Sequence, residues 1–167
     1  MKNWKVSGTG LVASILFVVQ YYLAFFVYKL PGLVALQWLG WFIWVLSVVF
    51  GIAPIFILRS RGGVARGQSY VKTTQLVDSS LYAIVRHPQY LAGMLFSIAM
   101  MLLAQHWVVI LIGIVSTTLF YLDTRDADQE GIEKFGEAYR DYMQRVPQVN
   151  FILGILRIIQ QRRHKVQ

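Results

Sequence analysis

Arg86, His87 and Pro88 stand directly before an apolar run, in the stretch LYAIVRHPQYLAGM. A proline disfavours the α region at the residue before it, so His87 is held out of the helix that follows. Pro88 suits a first helical turn, where its missing N–H is no loss. His87 is thereby placed near the N-cap of a helix, beside backbone N–H groups that lack intrahelical partners. Helix starts of this kind bind anions. Arg86 adds a fixed positive charge. The chemistry this suits is recognition of a carboxylate or a phosphate. The alternative is structural: Arg86 snorkels at a membrane edge and His87 only caps the helix.

A second group lies in DTRDADQEGIEKFGEAYRDYMQRVP, residues 123–147. Seven of the eight acidic residues fall between Asp123 and Asp141. Arg125, Asp126, Asp128 and Glu130 follow immediately on an apolar block, where charges are costly unless paired or used. A solvated helix face with i,i+4 pairs accounts for Glu133, Glu137 and Asp141. It accounts less well for Arg125 and Glu130, which lie closer to the apolar block. The chain has no cysteine, which excludes disulfides and thiolate metal sites. It has no P-loop, GxGxxG, HExxH or Ser-His-Asp spacing, and no metal site is expected.

These residues must be positioned by apolar elements. Of the 167 residues, 56% are hydrophobic and only 14% are charged, and the apolar ones come in long blocks. A spanning helix needs about 20 such residues. The pattern predicts an all-α integral membrane protein, a single membrane domain over residues 1–167 with about four transmembrane helices. The spans fall at about 7–29, 33–58, 88–103 and 107–122. Gly51 and Pro54 allow a kink in the second. The third is short for a full crossing and forms a hairpin with the fourth through Gln105-His106. The first block is long for a signal peptide and no small-x-small cleavage site follows it, so it reads as a retained helix.

The net charge of +8 would point to nucleic acid in a soluble protein. Here the basic residues flank apolar blocks, so anionic lipid headgroups are the expected counter-charge and no nucleic-acid partner is expected. Lys2 and Lys5 precede the first span, five basic residues from Arg59 to Arg86 lie between the second and third, and eight follow the fourth. Four spans with both termini cytoplasmic put all of these on one side and leave only Lys29 on the other. Residues 123–167 are expected to be cytosolic helices. Ile132, Phe135, Tyr139 and Tyr142 recur at spacings of three and four, so the charged segment reads as a C-terminal cytosolic amphipathic helix ended by Pro147. The run NFILGILRIIQ after it is too short for a fifth crossing, and is expected to lie on the membrane surface or pack on the bundle.

The stretch SSLYAIVRHPQYLAGM, then a hairpin, then an arginine with acids, then KFGEAYRDYMQRVP, resembles the isoprenylcysteine carboxyl methyltransferase family, part of a wider group that includes phospholipid N-methyltransferases. The resemblance covers roughly residues 70–148; RHPxY with FGxxYxxYxxxVP is specific as a combination, and either half alone is weak. It implies S-adenosylmethionine as cofactor. It implies that His87 and Tyr90, with Arg86 beside them, help hold the cofactor, and that Tyr82, Leu91 and Tyr139 wall its pocket. Arg125 would orient a substrate carboxylate, and Glu130 would orient Arg125 or bind the substrate. The chain departs from the family in three places. Ser80 stands where a glycine usually precedes Leu-Tyr. The usual Glu-Glu pair reads Gln129-Glu130, or Ala127-Asp128 when counted back from Phe135, so Asp128 rivals Glu130. Asn150-Phe151 follows where a second proline is usual.

The expectation is a membrane methyltransferase acting on a lipidic acceptor, most simply a carboxylate such as a prenylated cysteine. Membrane sterol reductases, which use NADPH, have a C-terminal half of similar pattern and form the rival enzyme reading. A small non-enzymatic helical membrane protein is the other.

Overall fold

The computed structural model describes residues 8–28 and 32–164. Its elements are α1 (Gly8–Tyr22), continued by a π-helical turn at Leu23–Val27, then α2 (Val34–Arg61), a 3-10 turn at Ser80–Ala83, α3 (Pro88–Ala104), α4 (Trp107–Phe135), α5 (Glu137–Arg145) and α6 (Phe151–His164). Among the described residues every regular element is helical. Three helices are long and apolar enough to cross a membrane, Gly8–Val27, Val34–Arg61 and Trp107–Phe135, and α3 is a shorter apolar helix. The chain is an integral membrane protein.

The expected boundaries shift in two places. The second span runs on to Arg61. The fourth does not stop at residue 122, because α4 continues unbroken through the acidic segment to Phe135. At 29 residues α4 is about 44 Å long, well over the ~30 Å hydrocarbon thickness. The helix expected over the charged segment is therefore divided. Its first part is the end of α4, and α5 begins after Gly136, whose φ of +60° no helix interior allows. Pro54 lies inside α2 without interrupting it. Lys29 and Pro31 of the first turn lie outside the described residues.

The residues form two compact units. One takes the residues up to Val49 with Tyr90–Arg125, and the other takes Phe50–Gln89 with the residues from Asp126 on. In the first unit α3 is the core. Leu91 to Ser97 are buried without a break, as are Ala99 and Met100. A helix that is apolar all round can only be satisfied by neighbours on every side, and this explains how so short an apolar helix is accommodated. Phe17 stacks on Phe96 with centroids 3.8 Å apart. Two polar side chains tie helices to its flanks. Gln20 Nε2 donates to Ser97 O (3.0 Å) and Val109 O (3.3 Å), and Ser47 Oγ to Ala92 O (2.9 Å). Thr9 Oγ1 donates to the buried Asp123. The hairpin turn is clamped by Gln105, whose amide accepts from Leu33 N (2.8 Å) and donates to Leu33 O (3.0 Å). Large apolar side chains on α1, its π-helical continuation and α2, such as Val18, Phe26, Trp38 and Phe42, are exposed, as lipid-facing residues are.

In the second unit the loop from residue 62 and α5 pack against the last turns of α4, and α6 packs against Phe50 of α2 and against Ile84. Tyr139, Tyr142 and Val146 are buried against Leu76, Ile132, Phe135 and Met143. The loop contains Ser80 at φ +59°, a left-handed conformation that disfavours any side chain by ~1–2 kcal/mol. This is the position where the resembled family usually carries glycine. Its hydroxyl accepts from Arg61 Nη1 at 3.0 Å, and Ser79 Oγ accepts from the same nitrogen at 2.8 Å. Ser80→Gly removes the strain, keeps the Ser79 bond and loosens the unfolded chain. The net expectation is stabilisation by about 0.5–1 kcal/mol, read as a melting temperature raised by a few degrees in detergent.

Candidate functional site

The sequence places His87 outside α3, and the structure gives its backbone a definite partner. Arg86 N donates to Pro147 O (3.0 Å) and His87 N to Gln148 O (3.1 Å). Two non-helical segments thus meet, one before Pro88 and one after α5. This pairing brings Arg86 and His87 to the buried Asp128 on α4.

Asp128 gathers five hydrogen bonds. Its Oδ1 is 2.7 Å from His87 Nε2, and accepts from Tyr139 Oη at 3.0 Å and Arg86 Nε at 3.2 Å. Its Oδ2 accepts from Arg86 Nη2 at 2.8 Å and Gln148 Nε2 at 3.1 Å. The Arg86 contact is a bidentate fork, the strongest geometry for a guanidinium and a carboxylate. Arg86 Nη1 continues to Met143 O and Val146 O, both at 2.8 Å, and so satisfies carbonyls that the end of α5 leaves without partners. The Arg86 and Asp128 side chains are only 9% and 10% exposed, and a charge so buried needs this degree of pairing.

The tyrosines complete the arrangement. Tyr139 and Tyr142 meet edge to face with centroids 5.6 Å apart, and Tyr142 Oη donates to Tyr82 O at 2.6 Å. Burial, then the charge of Asp128, raises the Tyr139 phenol above its ordinary pKa, and burial, then Tyr139, does the same for Tyr142. Both are neutral donors throughout the working range. Burial, then the nearby Tyr70, raises Tyr82 likewise. Tyr139 reaches Asp128 because Gly131 has no side chain: a Cβ there would stand 2.4 Å from the Tyr139 ring.

Of the residues singled out from the sequence, Arg86, His87, Asp128 and Tyr139 converge in one hydrogen-bonded knot, joined to Tyr82 through Tyr142. Asp128 and Glu130 have different places. Asp128 is buried in the knot, while Glu130 is exposed on α4. Tyr90, Leu91 and Arg125 belong to the first unit, where Leu91 is buried, Tyr90 half-buried and Arg125 exposed. Two contributors escaped the sequence reading. Gly131 had a signal, since a glycine inside a charged helical pattern is unfavourable unless something packs on it. Gln148 had none, because its role arises from chain pairing. No group of metal-binding side chains occurs among the described residues.

Fold and knot together define an integral membrane protein of helices in which a buried arginine, histidine and aspartate tie the end of α4 to the segment before Pro88 and to α5. Residues 65–131 match the isoprenylcysteine carboxyl methyltransferase (ICMT) family. The chain is also 32% identical over 123 residues to methanethiol S-methyltransferase 2 of Bradyrhizobium diazoefficiens, a match that covers 69% of this chain and 44% of that protein. The chain thus spans less than half the length of this curated relative. No solved structure matches it. Both matches support assignment to the isoprenylcysteine carboxyl methyltransferase family.

Proposed function

We propose that the protein is a membrane-embedded methyltransferase that uses S-adenosylmethionine and acts on a lipidic acceptor, a carboxylate such as that of a prenylated cysteine. The observation that carries this reading is that the segment matching the family, residues 65–131, contains Arg86, His87 and Asp128 of the buried knot.

The donor set supports the cofactor. S-adenosylmethionine has an adenosine and an amino-acid end, which call for neutral donors and aromatic faces as much as for charge. The second unit offers His87, the half-buried Tyr82, and Gln89, whose amide donates to Tyr70 Oη at 3.2 Å. Tyr90 and Leu91 follow on α3. The Arg86 guanidinium is committed to Asp128, Met143 and Val146, so its part is to hold the other groups in place. When bound, the cofactor supplies an already activated methyl group.

The protein's share is alignment and exclusion of water. Asp128 fixes the imidazole of His87, and Tyr139 and Gln148 fix Asp128, so Asp128 is a positioning residue. The exposed Arg125 is the group that orients an acceptor carboxylate, and Glu130 is the carboxylate left to assist it. A carboxylate acceptor is anionic at neutral pH and needs no general base. The amphipathic C-terminal part lies on the cytosolic side in this reading, with four spans and both termini cytoplasmic.

A second acceptor class has one observation in its favour, the name of the relative, which describes methylation of a small thiol. A thiol reacts as its thiolate and must lose a proton first, whereas it has no carboxylate for Arg125 to orient.

Calorimetric titration of the detergent-solubilised protein with S-adenosylhomocysteine tests the cofactor. Micromolar binding is expected, weakened at least tenfold in His87→Ala. A wild-type protein that binds NADPH and not S-adenosylhomocysteine would overturn the reading. Methyl incorporation into N-acetyl-S-farnesylcysteine, compared with methanethiol, then separates the two acceptor classes.

A further inference from the structure

The helix α6 has two unlike faces. One is fixed to the protein. Phe151 meets Phe50 with ring centroids 5.9 Å apart. A Cβ on Gly154 would stand 1.9 Å from Ile84 O, so helix backbone lies directly on the loop. Arg157 Nη1 donates to Arg145 O at 3.2 Å and caps the end of α5. Residues 151, 154 and 157 recur every three positions and mark this inner side.

The opposite side carries Ile152, Ile155, Leu156 and Ile159, at the i, i+3, i+4, i+7 spacing of a single stripe. They are 61%, 42%, 52% and 43% exposed. Four large aliphatic side chains in one stripe form a surface that water does not favour. The charge around the stripe says what covers it. From Tyr142 onward the sequence has no acidic residue and has Arg145, Arg157, Arg162, Arg163 and Lys165. A second copy of the same face would bring like charge against like charge. A bilayer with anionic headgroups offers hydrocarbon to the stripe and negative charge to the arginines, and a protein with three membrane-crossing helices has that bilayer at hand.

We propose that α6 docks in the membrane interface, with its Ile152–Ile155–Leu156–Ile159 stripe in the hydrocarbon edge and the exposed Arg163 on anionic headgroups. The helix thereby anchors Ile84, which it packs against, three residues before His87. This inference does not depend on the methyltransferase reading.

The absence of native cysteine makes the test clean. Ile155→Cys, labelled with the environment-sensitive fluorophore NBD, is placed in nanodiscs containing phosphatidylglycerol, beside a Glu137→Cys control on the exposed side of α5. The label at 155 is expected to shift to the blue and to be quenched by lipids carrying a shallow nitroxide, while the label at 137 does neither. Quenching at 155 is expected to fall at least twofold when phosphatidylglycerol is replaced by phosphatidylcholine. Water-like emission at 155 would overturn the proposal. So would a blue shift without lipid quenching, which would mean that protein covers the stripe. Undiminished quenching in phosphatidylcholine would overturn the assignment to anionic lipid.

Discussion

Asp128→Asn is expected to destabilise the protein by roughly 3–5 kcal/mol, the usual loss when one partner of a buried ion pair is removed. The substitution preserves shape, which isolates the electrostatic reason. Asp128 accepts from five donors on Arg86, His87, Tyr139 and Gln148. An asparagine can accept on one side only, and its amide would point N–H groups at donors already there. The Arg86 guanidinium would keep its two carbonyl partners at Met143 and Val146 but lose its counter-charge in a setting only 9% exposed. Thermal melting in detergent measures this, with an expected drop on the order of 10 °C at roughly 2–4 °C per kcal/mol. Glu130→Gln is the control. It is exposed and should melt within ~0.5 kcal/mol of wild type. Equal melting of Asp128→Asn and wild type would mean that the knot is not what joins α4 to the C-terminal segments.

Arg125→Ala should leave melting and S-adenosylhomocysteine binding unchanged and lower methyl transfer to a prenylcysteine at least 100-fold. The stability half rests on its exposure. The activity half rests on its proposed role. An oriented donor aimed at the reacting group contributes about 10²–10³ in rate, and a carboxylate held by a guanidinium loses both position and charge balance when that group goes. Titration calorimetry beside single-turnover methyl transfer separates binding from chemistry. Full turnover of a carboxylate acceptor by Arg125→Ala would remove the assigned role. If the acceptor is a small thiol, the substitution should have little effect, so the same variant also distinguishes the two acceptor classes.

The helices were legible in the sequence because hydrophobic length and periodicity are local properties. The apolar blocks, the Gln105-His106 turn, the Pro88 start of α3 and the family pattern around RHPxY could all be read without a fold. So could the importance of the acidic stretch, since charges next to an apolar block demand partners. Ser80 was visible as a departure, but its reason was not: only the backbone reveals a left-handed residue at φ +59° where glycine is usual.

What the tertiary structure alone decided is which charges meet. Arg86 finds Asp128 42 residues away, Met143 at 57 and Val146 at 60, and no spacing rule connects such positions. The rivalry between Asp128 and Glu130 shows why. They are two residues apart on one helix, about 200° around its axis, so one is turned inward and the other outward. Sequence composition assigned both the same chemistry. Packing, by burying one beside Arg86 and His87 and leaving the other exposed, gave them different surroundings.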